Sequence, residues 1–149
     1  LHPRLAHMVE KGGPTAPLLA ALLAERDILR GASCDLRLRL EAARDPDAFE
    51  RERGLPPDRS AVARIRDEAR RLSRGGAGKG PEDIGILAAL AYPDRIAKRT
   101  RHGRFQLASG RGARLSEQER LAGADYLVAA YNYAGQNWPW MGPMRSIRS

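Results

Sequence analysis

The chain has 149 residues, of which 42% are apolar and 30% are charged, a composition that predicts a globular protein with a substantial core. Its net charge of +8 favours an anionic partner, either nucleic acid or an acidic membrane surface. The single cysteine, Cys34, excludes an intrachain disulfide and a cysteine-rich metal site, and no stretch approaches the ~20 continuous apolar residues of a membrane span.

The first part of the chain predicts helices. Apolar residues at helical spacing predict two of them between Pro3 and Ile28, separated by residues 12–14, Gly-Gly-Pro. Residues 35–40 alternate polar and apolar side chains, but the strong helix formers that follow favour a third helix. Residues 45–57 are charged and end in two prolines, so a connection is expected there.

A long helix is predicted to begin after Asp58, an N-cap residue. Arg66, Arg70 and Arg74 follow one another at steps of four and form a cationic strip on this helix. The strip is either a solvated surface, supported by an Asp67–Arg71 pair, or a contact for nucleic acid.

Residues 75–80, GGAGKG, are expected to be a flexible break. They do not form a phosphate-binding loop, because Gly80 stands where that motif needs serine or threonine. Residues 81–83, Pro-Glu-Asp, suit the first turn of an apolar helix that Pro93 ends.

From residue 91 to 115 the chain is strongly basic, and its only acid is Asp94. Short apolar runs separated by glycines predict strands near 95–100, 104–109 and 112–115, with another at 126–131. Cations on a strand surface can follow a phosphate backbone. The expected partner of this segment is a polyanion.

Enzyme motifs are not recognisable. The histidines lack metal-ligand spacing, no serine lies near a histidine and acid arrangement, and no base stands beside Cys34. Gly135, Pro139, Gly142 and Pro143 predict a tail without strands. Trp138 and Trp140 in that tail either stack on a base or cover an exposed apolar edge.

Three segments carry a family resemblance: LHPRLAHMV, then SCDLRLRLEAAR, and finally AYPDRIAKR with GRFQLASGRGARL. Together they resemble the region after the helicase core of the bacterial HrpB-type ATP-dependent helicases, relatives of the DEAH/RHA RNA helicases. The resemblance covers residues 1–131 in order.

The resemblance implies an α+β fold in which a helical bundle of the ratchet or helicase-associated type precedes an OB-like β-barrel. We expect the bundle over residues 1–92, a partial OB-like module over 93–135 and an irregular tail over 136–149. The resemblance also implies that the motor domains, which bind ATP and Mg²⁺, precede Leu1 in a longer helicase. This stretch itself is expected to hold no catalytic residue, cofactor or metal.

The implied function is accessory: the region binds and guides single-stranded nucleic acid, RNA or DNA, while the motor moves along it in the cytoplasm. The residues expected to contact phosphates are Arg95, Lys98, Arg99, Arg101, Arg104, Arg111 and Arg114, with Arg66, Arg70 and Arg74 on the helix. The alternative is an interaction module that docks on the motor domains and whose charge serves solubility. A small enzyme is a third hypothesis, which no constellation of residues supports.

Overall fold

The computed structural model describes residues 1–30, 32–76, 78–130 and 140–144, with backbone alone at 130 and 140–144. Helices fill the first part of the chain, and strands follow. The helices are α1 (Pro3–Lys11), α2 (Ala16–Leu23), α3 (Leu36–Arg44), α4 (Pro46–Arg53), α5 (Arg59–Leu72) and α6 (Ile84–Ala91). The strands are β1 (Ile96–Arg101), β2 (Arg104–Leu107), β3 (Gly112–Arg114), β4 (Tyr126–Ala130) and β5 (Trp140–Met144). This order confirms the predicted α+β class.

Aspartates begin four of the helices. Each carboxylate accepts a hydrogen bond of 2.9–3.1 Å from a backbone N–H of the first turn. The four N-caps are Asp35, Asp45, Asp58 and Asp83.

Helix α4 replaces the predicted connection at 45–57, which was wrong. Pro46 fits the first turn because the N–H that it lacks would have no helical acceptor. Gly54 ends the helix with a left-handed φ of 68°. Both signals are local in the sequence, but the charged composition of the segment obscured them.

The sheet is antiparallel, with strand order β3-β2-β1-β4-β5, and curls into part of a barrel. The tight β1–β2 turn requires a glycine, since Gly103 has a φ of 76°. A Cβ at that position would also lie 2.9 Å from the Leu115 carbonyl oxygen. The turn is therefore fixed against the segment that follows β3.

Strand β5 contradicts the irregular tail predicted over 136–149. It pairs with β4 from Trp140 opposite Ala130 to Met144 opposite Tyr126. Pro143 is tolerated because β5 is an edge strand among the described strands, where only alternate N–H groups face a partner strand. Residues 131–139 and 145–149 lie outside the described ranges, as does the side chain of Trp140.

Alternate side chains of β4 enter two different cores. Val128 is fully buried among the helices, and Tyr126 packs against the same cluster. Leu127 and Ala129 are buried on the opposite face, together with Phe105. Because one strand contributes to both cores, packing continues between the helices and the sheet. The division into modules at residue 92 stays a prediction.

Polar contacts also join the helices to the sheet region. Arg4 of α1 forms a two-pronged ion pair with Asp94, at 2.5 and 3.2 Å, and its hydrogen bonds lower the pKa of that carboxyl. On the other side, the Ser33 hydroxyl donates to Glu119 at 2.7 Å. The connection between α2 and α3 thereby contacts the segment just before β4.

Arg39 of α3 is the largest fully buried side chain among the described residues. Its guanidinium makes two 3.1 Å bonds to the Asp27 carboxylate. It also donates to the carbonyls of Ser33, Asp35 and Leu29. The arginine therefore holds the connection between α2 and α3 against α3.

Two glycines of the predicted flexible break at 75–80, Gly78 and Gly80, serve close packing. The Gly13 N–H donates to the Pro81 carbonyl at 2.8 Å, which brings two loops together. A Cβ on Gly80 would overlap the Lys11 carbonyl oxygen, and one on Gly78 would overlap that of Gly12. The second half of this segment is thus a backbone-to-backbone contact.

Glu82 caps α2 across the fold. Its carboxylate accepts from the Thr15 hydroxyl at 2.6 Å and from the Thr15 N–H at 2.9 Å, while Arg44 donates to the same hydroxyl at 2.9 Å. The prediction that residues 81–83 form a first helical turn was wrong, because α6 begins only at Ile84, with Asp83 as its N-cap.

The bonds from Thr15 lower the pKa of Glu82 below its ordinary value of 4.5. Stabilisation from this carboxylate is therefore complete above about pH 4.5 and is lost as the pH falls through the lowered folded-state pKa. We expect Glu82→Gln to reduce the loss of stability on acidification, measured by urea unfolding at several pH values. Glu10→Gln, an exposed control on α1, should leave the wild-type pH profile in place, and equal profiles for both variants would contradict the prediction.

Candidate nucleic-acid interface

Basic side chains of the sheet are arranged by the pairing of β1, β2 and β3. Phe105 and Leu107 of β2 face the small core of the sheet, so Arg104 and Gln106 point to the opposite face. Arg114 of β3 lies directly opposite Arg104 and shares that face.

A bulge in β1 adds a third arginine to this position. Arg99 pairs with Phe105, but the next pair is Arg101 with Arg104, which leaves Thr100 as an extra residue. The Thr100 hydroxyl donates to the Arg104 carbonyl at 3.3 Å. Arg101, Arg104 and Arg114 therefore form one cross-strand line, called here the arginine row.

The arginine row borders an open depression of about 550 Å³. Its lining also includes Thr100, Gln106, Gly110 and Gly112. A Cβ on Gly110 would meet no atom within 4 Å, and one on Gly112 would barely reach the Phe105 carbonyl oxygen, so this side of the depression is open. No acidic side chain lies among the lining residues.

The arginine row has no acidic partner among the described residues, and residues 131–149 contain neither aspartate nor glutamate. Arg101 and Arg114 are exposed and Arg104 is half-buried. Arg99, by contrast, lies 3.5 Å from Asp125. The charge of the row is therefore available to an anion, whereas that of Arg99 is partly balanced.

The other predicted sheet cations lie around the row. Lys98 is exposed and stands opposite Gln106 and Tyr126, one position along the same face. Arg111 lies in the turn before β3, and Arg95 lies half-buried in the short 3-10 turn that precedes β1. The structure thus brings three of the seven sheet-region cations to one depression.

The cationic strip of α5 is largely engaged within the helical part. Asp67 pairs with Arg70, and Arg71 pairs with Glu68, so the predicted Asp67–Arg71 pair was wrong. Arg66 donates to the Arg44 carbonyl at 3.2 Å. Arg74 is exposed but lies beyond the end of α5 at Leu72, so its predicted place on the helix was wrong. These contacts favour the solvated-surface interpretation of the strip.

The described residues give little support for a metal site or for a reactive cysteine. They contain no group of three His, Cys, Asp or Glu side chains that could hold a metal ion. Burial, with a further contribution from Glu119, raises the pKa of the Cys34 thiol to about 11, so it is protonated at neutral pH and a weak nucleophile. No helix there is long and apolar enough to cross a bilayer.

Sequence reasoning missed the part of the site that comes from the bulge. Regular alternation places Arg99 and Arg101 on one face and Lys98 and Thr100 on the other. The register shift moves Arg101 to the face of Arg104. The sequence signal for it is weak, because Thr100 is a good strand residue and no glycine marks the bulge.

Comparison with solved structures relates the fold of this chain to known proteins. The crystal structure of the E. coli DExH-box NTPase HrpB matches 99% of this chain at 29% identity, with a TM-score of 0.59. That of the Escherichia coli DEAH/RHA helicase HrpB matches 85% at 29% identity, with a TM-score of 0.57. The resemblance to the HrpB-type helicases is confirmed.

The matched region is a small part of each relative. It corresponds to 17% and 15% of the two HrpB chains. No family model and no curated protein matches the sequence. The likeness therefore extends over most of this chain but over a minor share of a helicase.

Proposed function

We propose that this chain is the region after the core of an ATP-dependent RNA helicase, where it binds and guides single-stranded nucleic acid. The observation that carries the proposal is the arginine row, unpaired with acids, on a fold that resembles part of HrpB. Phosphates are the natural counter-ions of such a row, because guanidinium groups form charge-assisted hydrogen bonds with their oxygens.

In this proposal the energy for movement along the strand comes from other domains of the parent protein. The motor domains bind ATP and Mg²⁺ and hydrolyse the nucleotide, while the helices and the OB-like sheet help to close a channel over the strand. The region acts in the bacterial cytoplasm as an RNA-binding part of the hydrolase. Its contacts are mainly to the backbone, so its affinity depends on salt and little on base sequence.

The interaction-module alternative would be favoured if the leucine-rich segment at 17–29 had a larger apolar face than this chain can bury, because a missing neighbour would then be implied. In the structure, Leu19, Leu22 and Leu23 of α2 are fully buried. The apolar face of that helix is therefore covered by the chain itself.

Salt-titrated binding to fluorescent single-stranded RNA and DNA tests the proposed function. We expect measurable binding at low salt that weakens steeply between about 50 and about 200 mM salt. The logarithm of the binding constant should fall with the logarithm of salt by about 0.7 for each phosphate neutralised on a single strand. No binding of either strand at the lowest salt would overturn the proposal.

A further inference from the structure

We propose that the arginine row holds consecutive phosphates of one strand, whose backbone crosses β1, β2 and β3 roughly at right angles. This inference rests on the proposed function and adds the path of the ligand. Arg101, Arg104 and Arg114 contribute from three successive strands, so the line through them runs across the sheet. Substitution of any residue along this line should therefore remove a contact to the ligand.

The bulge at Thr100 creates the row. If the Arg99–Phe105 register continued without it, Thr100 would stand opposite Arg104, and Arg101 would fall beside the turn at Gly103. The extra residue instead brings Arg101 opposite Arg104. The bulge therefore contributes to the site through the position of Arg101.

The dimensions suit more than one phosphate. Neighbouring strands lie about 4.8 Å apart, so the outer two arginines of the row are separated by about 10 Å at the backbone. That span exceeds a single phosphate group, and the long arginine side chains allow the outer guanidinium groups to converge on two consecutive phosphates of one strand. The open side at Gly110 and Gly112 leaves room for the sugars between them.

Electrostatics supply an independent argument for a ligand. Like charges directly opposite one another on neighbouring strands are destabilising, and the row contains two such pairs in succession. No acid in the lining of the depression offsets them. A bound phosphate backbone would relieve this repulsion, so the row costs stability in the free protein and gives affinity in the complex.

The substitution Arg104→Gln, at the centre of the row, separates the effect on ligand affinity from the effect on the stability of the free protein. We expect weaker binding of single-stranded RNA and a salt slope smaller by about 0.7, together with an unchanged or raised melting temperature of the free protein. Arg51→Gln removes the same charge from an exposed position on α4 and should leave the slope unchanged. Both variants retain the main apolar core, so both should fold.

A second measurement tests the path across the strands. A dinucleotide with a 5′-phosphate carries two phosphates, whereas inorganic phosphate carries one. At equal ionic strength we expect the dinucleotide to raise the melting temperature of the wild-type protein more, and we expect Arg101→Gln and Arg114→Gln each to reduce that shift.

The measurements distinguish an error in the role assigned to the arginine row from an error in the proposed function. If wild-type protein binds RNA but Arg104→Gln and Arg51→Gln change the slope equally, the row is overturned and the proposed function stands. Equal shifts with phosphate and dinucleotide would overturn the path across the strands. No binding by the wild type would overturn the proposed function itself.

Discussion

Replacing Arg39 by alanine should lower the free energy of unfolding by about 3–5 kcal/mol, the cost expected for breaking a buried ion pair from one side. The substitution leaves the Asp27 carboxylate without its partner in a site where that side chain is only 12% exposed. It also removes the donor to the carbonyls of Leu29 and Asp35. Urea unfolding followed by circular dichroism measures the effect.

Arg37→Ala is the matched control, on the same helix and beside another aspartate. Its ion pair with Asp35 involves an arginine side chain that is 46% exposed, so its loss should cost no more than about 1 kcal/mol. In a double-mutant cycle, Asp27→Asn and Arg39→Ala together should cost clearly less than the sum of the two single changes. Equal effects of the Arg37 and Arg39 substitutions would contradict the buried pair.

Gly80→Ala should destabilise the protein by about 1–3 kcal/mol, the usual cost of inserting a methyl group where there is no space. The new Cβ would overlap the Lys11 carbonyl oxygen, a backbone atom that cannot rotate away as a side chain does. The loops must then separate, which weakens the bond from the Gly13 N–H to Pro81. Thermal and urea unfolding of the purified variant measure the change.

Gly75→Ala provides the control within the same glycine-rich segment. A Cβ there meets no atom within 4 Å, and the residue does not have a positive φ. We expect stability to be unchanged or to rise by about 0.4–1 kcal/mol, because alanine restricts the unfolded chain. If Gly80→Ala is as well tolerated as Gly75→Ala, the segment is the flexible break that its composition suggests.

Only part of the candidate site could be predicted from patterns in the sequence. The basic segment from 91 to 115 and its strands were predictable, because charge density and strand alternation are local properties. The grouping of Arg101, Arg104 and Arg114 was not, since it depends on the register between three strands and on one extra residue in β1. Pairing of Arg99 with Asp125, which lie far apart in the sequence, likewise depended on neighbours in space.

The sequence by itself determined that helices precede strands, the aspartate cap at Asp58, the basic character of the sheet and the resemblance to HrpB-type helicases. The first three follow from periodicity, capping and composition within short windows, whereas the resemblance rests on particular sequence segments. Only the tertiary structure decided that Arg39 is buried, that Gly80 is a packing contact and that Pro143 lies in an edge strand. Each of those results depends on which distant segment lies alongside, and burial and strand pairing arise only when the chain has folded.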